Sequence, residues 1–270
     1  MPVPATHRGP MPMPGPMPVP LWDGGRRVLR ISQAEAARAP CHACTVNHLC
    51  LPKGLDAAQR ESLDGLSIGR RRLRKGQKLY RQGDPFLFLY AVRFGTCKAS
   101  FSLGDGGEHV SAFHLAGDLM GFDGLADNTY ATTITALESC EVCALPYAQL
   151  VEACAASPAL RQRLSQLMGA QLVREYLATK LVAHRHTEAR VAGFLLQLSK
   201  WMQERGYSPR EFRLRMSRAD IGSYLGTTLE TVSRCMSQFA REGHIRVHSR
   251  DVQLVNPEGL RVAYVDESGA

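Results

Sequence analysis

Hydrophobic positions change period along this chain, and the changes divide it. Residues 1 to about 30 show no period; Met, Pro and Gly recur, prolines withhold backbone donors, and the segment is expected to be disordered. Residues 31–40 allow a short helical turn, and helix-like spacing returns from Ala57 to Leu66. From about Arg72 to Pro146 the pattern is β-type. Runs at Lys78–Tyr80, Phe86–Val92, Thr96–Phe101, His109–His114, Ala131–Ala136 and Cys140–Leu145 are separated by turn signals such as Gln82-Gly83-Asp84-Pro85 and Gly104-Asp105-Gly106-Gly107. Many short strands at this spacing predict a sandwich or roll of antiparallel strands. The charged run Arg70–Lys75 reads as a solvated loop, as blocks of like charge usually do.

The period then becomes helical. Leu160, Leu164, Met168 and Leu172 recur every four residues, with Leu167, Tyr176 and Leu177 beside them, so one long helix is predicted from about Pro158 to Arg185. A stripe this long suits a coiled-coil-like seam between two chains, or packing against the chain's own β domain. A second helix is predicted from Thr187 to Arg205, stopped by Gly206. Ser217 and Asp220 then form a capping-box-like start, Gly226 suits a left-handed turn, and Thr227 or Thr228 can cap a further helix running to about Glu242. In that helix Val232, Cys235, Met236 and Phe239 can face a core, while Glu230, Ser233 and Arg234 share another face at i, i+3 and i+4. A small hairpin follows at His244–His248 and Asp251–Val255. This is the pattern of a winged helix-turn-helix, whose second helix enters the major groove by its N-terminal end. Arg can pair with guanine O6 and N7, Glu can accept from cytosine N4, and Ser can donate or accept. A purely structural helical hairpin is the plainer alternative.

Composition refines this picture only where charge is concentrated. The chain of 270 residues is 44% hydrophobic, enough for a core in each of two domains, and carries a net charge of +8. From Lys200 to Arg250 there are ten Lys/Arg and five Asp/Glu, a difference of +5, in the segment with the helix-turn-helix pattern. Such a balance favours a polyanionic partner. No apolar stretch approaches the roughly 20 residues that span a bilayer, and the N-terminal residues lack the basic-then-apolar order of a secretory signal. A cytoplasmic location is therefore expected, without a membrane partner.

Eight cysteines in a reducing compartment are poor candidates for four disulfides. Cys41, Cys44 and Cys50 follow C-x2-C-x5-C, and Cys140 and Cys143 form a distant pair. Three thiolates so close can hold three corners of an iron–sulfur cubane, which needs a fourth from elsewhere. The spacing also admits tetrahedral zinc, with Cys140 and Cys143 contributing together. Cys97, Cys154 and Cys235 read as buried bystanders, and His42 and His48 as solvated loop residues. No nucleophile elbow, Walker-type loop or paired-carboxylate motif is present, so an enzyme is not expected.

Taken together, Cys41 to Val255 resembles the fumarate–nitrate reduction regulators of the cyclic-AMP receptor protein superfamily, most closely in the blocks 208–226 and Gly117–Asp123. The resemblance implies an α+β chain: an antiparallel β-roll sensor domain of the cyclic-nucleotide-binding type, a long dimerisation helix and a C-terminal winged helix-turn-helix. The expected division is a tail at 1–40, a cluster-binding loop and β-roll at 41–157, the dimerisation helix at 158–185 and the DNA-binding domain at 186–265. The resemblance further implies an oxygen-labile [4Fe–4S] cluster, one per subunit, on Cys41, Cys44, Cys50 and Cys143, with Cys140 an extra thiol. When intact, that cluster would favour a homodimer that binds double-stranded DNA. Glu230, Ser233 and Arg234 would read a TTGAT-type half-site, repeated as a palindrome about one helical turn apart, ~10–10.5 bp. Promoters of anaerobic metabolism would be activated or repressed through RNA polymerase, with turns such as Gly104–Glu108 and Phe122–Leu125 resembling activating regions. Leu172 and Glu175 match the dimer-switch region, where facing carboxylates would oppose pairing; a solvated Glu175 is the simpler alternative. Where the superfamily's cyclic-nucleotide pocket carries Arg-Ser this chain has Asn128-Thr129-Tyr130-Ala131, so no cyclic nucleotide is expected.

Overall fold

The computed structural model describes residues 40–265 apart from Leu103 and Asp105. The expectations for residues 1–39 and for the turn at 104–108 therefore fall wholly or partly outside the described residues. After the cysteine stretch comes α1 (Ala57–Asp64), opened by a capping box between Asp56 and Gln59. Eight strands follow: β1 (Gly69–Leu73), β2 (Lys78–Tyr80), β3 (Phe88–Phe94), β4 (Cys97–Ser102), β5 (Glu108–His114), β6 (Leu119–Met120), β7 (Thr133–Ala136) and β8 (Cys140–Pro146). They form two antiparallel four-stranded sheets, ordered β1-β8-β3-β6 and β2-β7-β4-β5. Alternation along these strands sends Leu79, Tyr90, Val92, Ile134, Val142 and Ala144 into a common interior. Fully burying each large side chain of that set contributes roughly 1.5–3 kcal/mol.

One reading is corrected here. The run at Arg70–Lys75 is not a solvated loop; its first residues form strand β1, paired antiparallel with β8 from Gly69↔Ala144 to Leu73↔Cys140. The arginines are tolerated because Arg70 and Arg72 lie on the outer face, where both meet Glu141. Helix α2 (Tyr147–Ala156), which the sequence reading did not anticipate, closes the roll with Leu150 and Cys154.

The long helix is α3 (Pro158–Val182), capped by Ser157 and started by a proline. Its apolar stripe serves two different surroundings. Leu160 is buried and Leu164 and Leu167 pack partly against the β-roll core, whereas Leu172, Val173, Tyr176 and Leu177 are exposed. Steps of four residues advance about 40° beyond a full turn of an α-helix, so the stripe winds off the β-roll and into solvent. The packing alternative thus holds for the first half of the leucine stripe, and Leu181 near the end of the helix is buried again, in the C-terminal core.

The C-terminal unit contains α4 (Thr187–Glu204), β9 (Glu211–Arg213), α5 (Arg218–Leu225), α6 (Leu229–Arg241), β10 (Ile245–His248), β11 (Asp251–Leu254) and α7 (Pro257–Val265). Its three strands form a sheet ordered β10-β11-β9. Its core, built on Phe194, Leu195, Val232 and Phe239, extends across to Val110, Phe113 and Leu115 of the roll. Phe113 meets Phe194 and Tyr224 with ring centroids 6.1 and 5.2 Å apart. Lys98 of β4 reaches Asp220 of α5 at 2.8 Å, and Ser223 Oγ accepts from the Val110 amide.

Asp118 ties the parts together. It follows Gly117, whose φ of +93° makes the turn after β5. Its Oδ1 lies 2.8 Å from Arg174 Nη2 of α3 and 2.7 Å from Arg205 Nη2 at the end of α4, and its Oδ2 accepts from the Leu115 amide. Burial opposes the ionised form, but the two guanidiniums prevail and hold the carboxyl below its ordinary range. A carboxylate depressed in the folded state stabilises it above the unfolded pKa, about 3.9, and that contribution fades as pH falls through the folded value. Asp118→Asn is expected to cost about 3–5 kcal/mol at neutral pH, the range for breaking a buried pair, and to flatten the acid side of the stability profile. Urea unfolding at several pH values checks both; an unchanged midpoint at neutral pH contradicts the role.

Candidate metal centre and nucleic-acid interface

The cysteine stretch folds as successive turns, with Cys44 N donating to Cys41 O and Cys50 N to Val46 O. Its start is tied to α1, because Asp64 accepts from the Cys41 amide and contacts His42 Nδ1 at 2.5 Å. His42 is therefore a paired loop residue, while His48 is exposed without reaching the cavity described next. The far end of the stretch is tied to α3, where Arg163 Nη2 donates to Cys50 O at 3.1 Å and to Leu49 O at 3.5 Å. Leu49 also rests against Gly117; a Cβ there would come within 2.5 Å of Leu49 Cβ.

These tethers place Cys41, Cys44 and Cys50 around one cavity with Cys143 of β8. Its walls are otherwise mostly apolar, from Val46, Leu51, Ile68, Val92 and Leu145, with Arg70 and Arg93 as the charged lining residues. The cavity volume open to the centre of a water-sized sphere is about 30 Å³. Burial pushes the Cys41 and Cys50 thiols up to about 12 and Cys143 up to about 11, and the neighbouring thiols add to each. Among the described residues, no three or more His, Cys, Asp or Glu side chains close around a single metal-ion position. All four cysteines lie on the wall of the one cavity.

Cys140 belongs elsewhere. Residues three apart on a strand face opposite ways, so Cys143 looks outward to the cavity and Cys140 inward. The Cys140 thiol is buried, 3.9 Å from Cys97 Sγ, and donates toward the Thr96 and Glu138 carbonyl oxygens. The pair cannot pinch one zinc ion between them. Cys154 and Cys235 are buried as well.

At the other end of the molecule, Ser217 and Asp220 form the capping box of α5, and Gly226 closes it at φ +63°. Gly222 lets α6 begin close by, since a Cβ there would meet Thr227 O at 2.9 Å. Thr228 caps α6 by accepting from the Thr231 amide. Val232, Cys235, Met236 and Phe239 are buried, which turns Glu230 and Arg234 to solvent and leaves Ser233 half-buried. The Glu230 backbone amide and the Thr228 hydroxyl hold the Glu230 carboxyl below its ordinary range, so it is an ionised acceptor. Arg218, Arg241, Arg246 and Arg250 belong to the same unit, the cationic surroundings that a phosphate backbone requires. On α3, Leu172 is 59% exposed, and Glu175, also exposed, accepts from Gln171 Nε2 at 2.7 Å.

Several residues around these sites were not singled out from sequence: Arg163, Asp118, Arg174, Arg205, Arg70, Arg93 and Glu141. The alternation Arg70-x-Arg72 was a usable strand signal; the long-range pairings had none.

A β-roll joined through a long helix to a winged helix-turn-helix defines a class of ligand- or cofactor-responsive DNA-binding regulators. Comparison with known proteins agrees. The Crp-like helix-turn-helix domain matches residues 189–263 and the cyclic nucleotide-binding domain residues 70–157. The transcriptional regulatory protein btr of Bordetella pertussis is 39% identical over 230 residues, 85% of this chain and 95% of that protein. The fumarate and nitrate reduction regulatory protein of Escherichia coli K12 is 35% identical over 235 residues, 87% of this chain and 94% of its own. The structure of FixK2 from Bradyrhizobium japonicum superposes with a TM-score of 0.66 at 29% identity, covering 72% of this chain and 96% of that one. The chain belongs to the Crp/FNR family of transcription regulators. No helix among the described residues is long and apolar enough to cross a membrane.

Proposed function

We propose that this protein is an oxygen-responsive, cytoplasmic transcription regulator in which Cys41, Cys44, Cys50 and Cys143 hold one [4Fe–4S] cluster. The observation that carries the reading is the convergence of these four thiols, remote in sequence, on one cavity with largely apolar walls. A cubane takes four thiolates, the number this cavity gathers, whereas the zinc alternative that used Cys140 and Cys143 together is not supported by a strand that turns them to opposite faces. When bound, the group supplies sensitivity to oxygen; the remaining steps belong to the chain.

Those steps run through α3. Arg163 grips the carbonyl of Cys50, so a change in the cysteine stretch pulls directly on the helix. Further along, the exposed Leu172, Val173, Tyr176 and Leu177 offer an apolar face to a second copy, with Glu175 beside it. Two Glu175 carboxylates brought together repel, and the cluster-loaded arrangement of the helix lets the apolar contacts prevail. The paired chains then present two α6 helices to a TTGAT-type palindrome, read by Glu230, Ser233 and Arg234, and regulate promoters of anaerobic metabolism with RNA polymerase. Cyclic nucleotide is not the effector. No arginine lies at 128–131, and Tyr130 is stacked on Tyr80 at 3.7 Å with its hydroxyl on Phe88 O.

Iron and sulfide analysis after air-free purification tests the cluster. Wild type and Cys140→Ser should carry about four of each per chain and Cys143→Ser little; an iron-free wild type that grips its palindrome equally well overturns the proposal. Arg234→Ala should lose roughly 1–3 kcal/mol and relax preference at the guanine. Equal weakening on all sequences in a binding titration would instead make it a phosphate contact. Glu175→Ala should dimerise in the iron-free state by sedimentation, where wild type is monomeric; a monomeric variant removes the repulsion from the account.

A further inference from the structure

The outer face of the sheet beside the four thiols carries an unusual charge balance. Arg70 lies directly opposite Cys143 in the β1–β8 register, and Glu141 lies two residues before Cys143 on the same face. Arg93 comes from the next strand, β3. Its Nη1 is 2.6 Å from Glu141 Oε1, and Arg70 Nε is 3.8 Å from the same oxygen. Arg72 also reaches Glu141, but its side chain is 90% exposed, and water screens it. That leaves two guanidiniums, each 28% exposed, against one carboxylate that is 13% exposed.

Glu141 therefore balances one of these cations and not both. Hydrogen bonding agrees with the charge count: the Nε atoms of Arg70 and Arg93 are both buried and have no acceptor among the described residues. Both residues line the cavity with Cys41, Cys44 and Cys143. Guanidinium does not deprotonate in proteins, so a half-buried excess of this kind calls for an anion. Four thiolates outweigh the positive charge of an iron–sulfide core, and the assembled group is such an anion.

Resting on the cluster reading above, we infer that Arg70 and Arg93 are positioning residues for the thiolate-bound cluster, its counter-ions and hydrogen-bond donors, and that Glu141 opposes them by drawing one cation away. The three residues set how firmly the cluster is held. They do so from outside the ligand set, as the groups around metal ligands commonly do.

The opposition in sign provides the test. The full chain and its variants are purified without air, and iron loss to excess EDTA is followed by the fading of visible absorption. Arg70→Gln and Arg93→Gln should each lose iron roughly 10-fold faster, the lower end for removing such a partner. Glu141→Gln should lose it more slowly than wild type. Arg70→Lys, which keeps the charge without the fork, should fall between wild type and Arg70→Gln. Thermal unfolding of the iron-free variants separates loss of fold from loss of grip: Arg70→Lys should match wild type, whereas Glu141→Gln, which strips Arg93 of its acceptor, should melt lower and yet release iron more slowly. If Glu141→Gln speeds iron loss as the arginine variants do, the trio serves strand pairing and the inference fails, as it does if every rate is unchanged. Those outcomes leave the cluster reading standing, whereas a wild-type chain without iron and sulfide removes both.

Discussion

A buried carboxylate cannot be left unpaired, and Asp118 is the point at which this structure obeys that constraint. Its partners come from two separate elements, Arg174 of the long helix and Arg205 at the end of α4. Arg205 also donates to Ala116 O, and to Trp201 O of its own helix, so one guanidinium joins the roll to the helix-turn-helix unit through two acceptors. Removing any member leaves charge stranded in low dielectric, which makes the arrangement of roll, helix and DNA-binding unit a single problem in electrostatics.

The cysteine stretch is attached to the same node. Leu49 lies on Gly117, the residue before Asp118, and Arg163 fastens Cys50 to α3 eleven positions before Arg174. Two short routes thus lead from the four-thiol cavity: one along the helix, the other through the turn that carries Asp118. Lys98 and Ser223 add a third connection, between strands β4 and β5 and the helix-turn-helix. A packed interior transmits small displacements because it lacks the voids to absorb them.

Much of this was legible in the sequence, for identifiable reasons. The helix-turn-helix could be read because its signals are local: Ser217 with Asp220, Gly226, and the buried set from Val232 to Phe239 all act within a few residues. The β-roll could be read because its strands are separated by turn residues. The failures share a different cause. Arg70 and Arg72 looked like a solvated run because what stabilises them, Glu141, lies some 70 residues away. Spacing alone could not tell Cys140 from Cys143, because their opposite facings follow from the strand parity of β8, which puts Cys143 on the cavity wall and Cys140 in the interior. Nothing in the leucine spacing of α3 marked where the helix leaves the β-roll, since the periodicity is the same on both sides of that point.

The divided stripe of α3 bears on what an unpaired chain can do. Leu160, Leu164 and Leu167 root the helix in its own subunit, so its conformation is not borrowed from a second copy. If two chains pair through α3 as proposed, separation uncovers an apolar strip without melting the element that carries it. On that reading a solitary chain is a folded reserve, able to re-enter an assembly by docking alone, at the speed of diffusion and reorientation instead of refolding. What it risks meanwhile is adhesion to the wrong surface, and Glu175, beside that strip, limits the risk by keeping a charge there.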